Sequence, residues 1–145
     1  MDILKTKQQQ LLRTLATLET SINTFQACDR STKSPVENLD YDEARRVLRD
    51  SMVQRFEYCA DLFWKFLKKR VEKIDPTVLN SPTPVIRAAY KIGILREEDA
   101  EQALKINDSR NLTSHIYREE IAEQLVRDIP VYYKLMHAVT EKLAN

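Results

Sequence analysis

The chain has 145 residues, with 23 Lys plus Arg against 22 Asp plus Glu and a formal net charge of +1. That length suits one compact core, read here as a single domain over 1–145, and the near-neutral balance excludes a molecule drawn bodily to nucleic acid or anionic lipid. A single Gly and five Pro leave little material for hairpins or glycine-rich phosphate loops, so all-β and nucleotide-cradling α/β folds are excluded in favour of an all-α one.

Leu4, Leu11, Leu15, Leu18, Ile22 and Phe25 recur at helical steps, predicting a first helix over about 2–27. From Cys28 to Asp40 the residues Asp29, Ser31, Ser34, Pro35 and Asn38 carry turn chemistry without a period, the mark of a surface loop. Asp40 is placed to cap a second helix, with Glu43 three residues on as in a capping box, and no Gly or Pro intervenes before Pro76. That second helix is therefore predicted over about 41–74. It carries two apolar seams, Met52, Phe56, Cys59, Phe63 and Phe66, and beside them Val53, Ala60, Trp64, Leu67 and Val71. Coverage that wide belongs in a helix bundle or at a subunit interface.

Ser81 offers an N-cap oxygen for a short third helix over about 82–91, with Pro82 and Pro84 among positions whose amides have no intrahelical acceptor. The lone Gly93 stands where a left-handed C-terminal cap is expected. Glu97, Glu98 and Asp99 open a fourth helix that runs to about 114, with negative charge at the positive end of its dipole. The fifth starts near 118 with Glu119 and Glu120. Its inner face is Ile121, Leu125, Ile129, Tyr132, Met136, Val139 and Leu143, and Pro130 removes one ladder bond and predicts a kink.

Little of the chain carries the signature of chemistry. Cys28 and Cys59 are too few for a disulfide framework, and His115 and His137 lack second ligands at metal spacing. No metal and no cofactor are expected. Lys65, Lys68, Lys69, Arg70 and Lys73 read as a solvated helix end diluted by Asp61, Glu72 and Asp75 rather than as a phosphate patch, and Trp64 reads as core rather than a stacking platform. No apolar run is long enough to span a bilayer and none at the start has signal-peptide character, so a cytoplasmic protein without membrane contact is expected.

The informative stretch is Asn107 to Tyr117, where Arg110, Asn111, Ser114, His115 and Tyr117 crowd a helix end. Arg110 and Tyr117, seven apart, share a helical face, but His115 is rotated from Arg110 by about 140°. Convergence of all three needs a break near 114–117, or two copies of the chain. A guanidinium, an imidazole and a phenol suit phosphate chemistry without a metal. The plain alternative is that Arg110 pairs with Asp108 or Glu119 while His115 and Tyr117 satisfy carbonyls at the helix end.

Arg110-Asn-Leu-Thr-Ser-His115-Ile-Tyr117 resembles the Arg-x4-His-x-Tyr motif of the HEPN (higher eukaryotes and prokaryotes nucleotide-binding) superfamily. Residues 53–65, the stretch from Ser81-Pro82 to Arg87-Ala-Ala and Ile129-Pro130 resemble its bacterial branch of nucleotidyltransferase substrate-binding proteins. The resemblance implies an up-and-down four-helix bundle with an additional short helix, homodimeric, encoded beside a separate minimal nucleotidyltransferase and without that enzyme's activity. It implies a substrate- or nucleotide-binding partner subunit, in a toxin–antitoxin-like pair, with Arg110, Asn111, Ser114, His115 and Tyr117 around the ligand. The toxin relatives imply an alternative: a metal-independent ribonuclease in which Arg110 and His115 act on RNA and adenylylation of Tyr117 silences it. A third reading is a non-catalytic adaptor dimer. Arg118 departs from the pattern, in which Asp is expected before the Glu-Glu pair, and a cation there weakens capping of the last helix.

Overall fold

A computed structural model describes residues 2–28 and 33–143. Asp29 and Ser31 of the expected loop lie outside the described residues. Five α-helices are present and no strand occurs among the described residues: α1 Ile3–Gln26, α2 Tyr41–Glu72, α3 Pro82–Lys91, α4 Glu97–Leu112 and α5 Glu119–Lys142, with a 3-10 turn over Thr113–His115 joining α4 toward α5.

The helix ends follow from local chemistry. The Asp2 carboxylate accepts from the amides of Leu4 and Lys5 at 3.0 and 3.3 Å, and Asp40 accepts from the Glu43 amide at 2.8 Å, a bond that holds the Asp40 carboxyl below its ordinary range. Ser81 occupies the N-cap of α3, but its hydroxyl makes no cap bond. The expectation fails for a simple reason: Pro84 stands at the third helical position and has no N–H to donate, so half of the usual cap targets are missing. Gly93, at φ 85°, ends α3 as expected. The Gly93 amide donates to the Tyr90 carbonyl at 3.1 Å and the Ile94 amide to the Ala89 carbonyl at 2.8 Å, the paired bonds of a Schellman turn. α5 starts at Arg118 with no side-chain cap and continues through Pro130 as one element.

The long helices alternate in direction. Gln8 near the start of α1 donates to the Thr140 carbonyl near the end of α5, and Tyr133 reaches back to Glu19, so α1 and α5 are antiparallel. Arg110 meets Asp61 and Thr113 meets Glu57, which runs α4 against α2. α2 touches every other helix. That explains its two seams: Met52, Phe56, Cys59, Phe63 and Phe66 are all buried, as are Val53, Ala60, Leu67 and Val71, while Trp64 is half-buried against the core. Helices of the same chain cover both seams, so this apolar width does not require a second copy. The stripe of α1 is buried throughout, as is the inner face of α5 from Leu125 to Leu143. Phe56 stacks on Tyr132, with ring centroids 5.8 Å apart, and the Tyr132 hydroxyl lies 3.1 Å from that of Ser109, which links α2, α4 and α5 beneath the polar junction at residues 113–118.

Candidate functional site

The junction between α4 and α5 is pinned to α2 on both sides. α4 ends at Leu112, two residues before the expected 114, because Thr113 turns its hydroxyl back to within 2.8 Å of the Arg110 carbonyl and the chain tightens into the 3-10 turn. On the α5 side, Arg49 is 3% exposed, and its guanidinium bonds Glu119 at 2.9 Å and Asp50 at 3.1 Å. Burial pulls the Arg49 pKa down, but these carboxylates more than offset it and leave the group charged. One turn earlier, Arg45 holds Glu123 through two bonds at 2.6 and 3.1 Å. The Arg45 side chain also covers the Phe25 ring at 4.9 Å. The break between α4 and α5 is thus the one anticipated near 114–117.

Arg110 projects from the last turn of α4 toward α2 and is half-buried. Its Nε donates to Asp61 Oδ1 at 2.8 Å and its Nη2 to Asp61 Oδ2 at 3.1 Å, a side-on fork. The same Nη2 lies 3.4 Å from Glu57 Oε1, and Nη1 donates to the Thr113 hydroxyl at 3.3 Å. That hydroxyl is also 2.8 Å from Glu57 Oε2, so its single proton serves either Glu57 or the Arg110 carbonyl. Hydrogen bonding to Asp61 raises the Arg110 pKa further. The pairing with Asp108 or Glu119 weighed from the sequence does not occur; Asp61 and Glu57, one turn apart on α2, hold Arg110 instead, and Glu119 is taken by Arg49.

His115 and Tyr117 sit apart from this cluster, both exposed, Tyr117 to 76%. Their rings meet edge-on at 5.9 Å with His115 Nδ1 3.4 Å from the Tyr117 hydroxyl, while the His115 carbonyl accepts from the Arg118 amide at 3.0 Å. Asn111 and Ser114 are exposed on the same junction. Two of the three expected groups are therefore brought together in one chain, and among the described residues no hydrogen bond or ion pair joins Arg110 to either. Arg118 turns away to Glu120 at 2.9 Å. Beside the turn, a groove of about 500 Å³ runs along α2, lined by Ser51, Gln54, Glu57, Thr113 and Ile116 among others.

The remaining candidates behave as structural residues. Cys59 is fully buried and its thiol is pushed up to about 12 by burial, which removes it as a nucleophile at neutral pH. His137 pairs with Glu141 at 3.2 Å one turn along α5. Lys68 bonds Asn80 and Lys69 pairs with Glu72, as on a solvated helix end. Among the described residues no three His, Cys, Asp or Glu side chains cluster as a metal site would need, and no helix is long and apolar enough to cross a membrane. Glu57, Asp61 and Thr113 are the residues that sequence reasoning missed. The available signal was a pair of carboxylates at one-turn spacing on the flank of a doubly apolar helix, where unpaired charge is costly.

Comparison with known proteins adds the lineage. The family described as nucleotidyltransferase substrate binding protein like matches residues 8–145. A crystal structure of a protein from Thermus thermophilus is 34% identical and superposes with a TM-score of 0.72, covering 92% of this chain and 98% of that one. No match was found among curated proteins. A family match that takes in every helix from the first turns of α1 onward, and with them the Arg110 to Tyr117 junction, leads to one conclusion: this chain belongs to the nucleotidyltransferase substrate-binding-protein-like family.

Proposed function

We propose that this protein is the ligand-binding, non-transferase subunit of a two-component minimal nucleotidyltransferase, of the HEPN type, working as a homodimer in the cytoplasm and paired with its transferase in a toxin–antitoxin-like unit. The observation that carries the reading is the α4–α5 junction, in a chain of this family: a guanidinium with one edge loosely held behind an open groove, and, separately on the same junction, an exposed imidazole and phenol in contact with each other. Arg110 supplies paired donors for a phosphate oxygen, Asn111 and Ser114 supply neutral donors, and His115 and Tyr117 frame the outer side. The test is co-purification with the transferase encoded beside it, followed by titration with AMP. Loss of AMP binding in Arg110→Gln with retained partner binding is expected; unchanged AMP affinity in that variant would refute the reading.

The second reading, a metal-independent ribonuclease silenced at Tyr117, is favoured by one observation: His115 is exposed with its ring nitrogen next to the phenol, so a proton-transfer group and a modifiable hydroxyl share one spot. An adenylyl group on Tyr117 would set an anion against His115 and obstruct RNA. Because no bond joins Arg110 to His115 within one chain, this reading draws on two copies, each completing the other's site. Incubation with tRNA in EDTA should yield cleavage that His115→Ala lacks, and mass spectrometry after treatment with the transferase and ATP should find adenylyl mass on Tyr117. Equal cleavage by wild type and His115→Ala would remove it. Light scattering at the monomer mass at micromolar concentration would remove both the homodimer and the shared site. An adaptor dimer would keep partner binding after Arg110→Ala and His115→Ala and show no ligand binding at all.

A further inference from the structure

The two carboxylates on Arg110 are not equivalent, and the difference assigns them separate tasks. Asp61 takes the side-on Nε/Nη2 edge with two hydrogen bonds, at 2.8 and 3.1 Å, the geometry in which a carboxylate fixes the plane of a guanidinium. The end-on Nη1/Nη2 edge is covered only by long contacts, 3.3 Å to the Thr113 hydroxyl and 3.4 Å to Glu57 Oε1. Glu57 has its better bond elsewhere, 2.8 Å from Thr113, and both Glu57 and Thr113 line the groove of about 500 Å³. Arg110 itself does not line the groove, and lines a small separate cavity with Asp61; its loosely covered edge is the one whose partners, Glu57 and Thr113, form the groove wall. That edge is also the one a phosphate can grip with two oxygens.

Charge gives the arrangement its direction. One guanidinium here faces two carboxylates, so an incoming anion meets a local excess of negative charge until one of them leaves. Asp61 cannot leave without freeing the plane of the guanidinium. Glu57 can, because its one contact with Arg110 is long, 3.4 Å against 2.8 and 3.1 Å for Asp61, and because it lines the groove, where rotation returns it to water. Exposure does not separate the two, at 33% for Glu57 and 39% for Asp61.

Resting on the reading of Arg110 as the phosphate-binding group, we infer that Asp61 is a positioning residue that orients the Arg110 fork, and that Glu57 is an exchangeable gate whose carboxylate a ligand phosphate displaces from the end-on edge. The ligand then enters by the groove between α2 and the 3-10 turn, and the resting site discriminates against anions too weak to displace a carboxylate.

The proposal predicts opposite signs for two substitutions that remove the same charge. Titrated calorimetrically with AMP, Glu57→Gln should bind about fivefold to tenfold more tightly than wild type, an order-of-magnitude expectation for loss of one competing partly exposed carboxylate. Asp61→Asn should bind about tenfold more weakly although it also removes a negative charge, and Asp61→Glu, which restores a two-oxygen partner, should recover most of that loss. Melting temperatures of the three variants, measured alongside, separate positioning from unfolding. If both neutral variants tighten binding, Asp61 is one more repulsive charge and the positioning role falls. If both weaken it, or Glu57→Gln leaves it unchanged, the gate falls. In these cases AMP binding still depends on Arg110, and the functional reading stands. Retained AMP affinity in Arg110→Gln, or no AMP binding by wild type and every variant, overturns both.

Discussion

Replacing Thr113 with Val keeps the shape of a side chain that is 5% exposed and removes only its hydroxyl. That oxygen is within 2.8 Å of Glu57 and of the Arg110 carbonyl and accepts from Arg110 Nη1 at 3.3 Å, so the substitution removes one donated bond, to either acceptor, and one long accepted bond. A hydrogen bond to a charged group contributes about 1.5–3 kcal/mol when buried. Glu57 and Arg110 are each about one-third exposed and can rehydrate, which discounts the loss to about 1–2 kcal/mol. For 145 residues the unfolding entropy is about 0.3 kcal/mol/K, so the melting temperature should fall by about 3–6 °C. Circular-dichroism melts of wild type, Thr113→Val and Thr113→Ser read the effect. Thr113→Ser keeps the hydroxyl and loses one buried methyl worth about 0.8 kcal/mol. Hydrogen exchange should also quicken at residues 113–118 in the Val variant alone. A Val variant that melts at or above the wild-type temperature with unchanged exchange would show that the hydroxyl does not hold the turn to α2.

Gly93→Ala should destabilise by about 1 kcal/mol through backbone strain alone, because φ is 85° and a Cβ there would meet nothing within 4 Å; Gly93→Asn should cost less, and equal melts for Ala and wild type would contradict the left-handed cap. Tyr132→Phe should cost about 1 kcal/mol by stripping the buried Ser109 hydroxyl of its partner, measurable by urea unfolding, and a neutral result would mean that Ser109 finds another. Burial raises the Cys59 thiol from 9.0 to about 12, and burial with the Glu19 bond raises the Tyr133 hydroxyl from 10.0 to about 12. Both groups release protons sooner in the unfolded chain, so their contribution is intact below pH 9 and is lost as pH rises from about 9 toward 12. Denaturant titrations across that window should show falling stability, with a shallower fall in Cys59→Ala; an identical slope in that variant would refute the assignment. In the native protein Cys59 should resist iodoacetamide at pH 8 until the chain is unfolded.

The helices were legible because their information is local. The Leu4 to Phe25 stripe, the Asp40 cap and the Gly93 turn each depend on residues within a few positions of one another, and each appears as read, apart from the Ser81 cap that Pro84 forestalls. What surrounds Arg110 was not legible. Asp61 and Glu57 lie 49 and 53 positions away in the chain, and periodicity places a residue on its own helix without saying which neighbour it faces. The same blindness affected α2. Its two apolar seams told correctly of two burial faces, but whether a second subunit or the other helices of this chain fill them is a question of packing, and here the chain fills them itself. Spacing on one ideal helix puts Arg110 and Tyr117 on a shared face and His115 off it, whereas in the structure it is His115 and Tyr117 that meet, because α4 ends at Leu112 and the 3-10 turn breaks the helical register between 110 and 117.

The anchoring of the α4–α5 junction bears on what the proposed modification of Tyr117 would do. Arg45 and Arg49 fasten one bank of it and Asp61 the other, all from a single rigid rod, while the span between carries Tyr117 out into solvent. An adenylyl group added at that exposed tip would act as bulk and charge on the spot itself, since the junction's anchors to α2 leave it no loose segment to move.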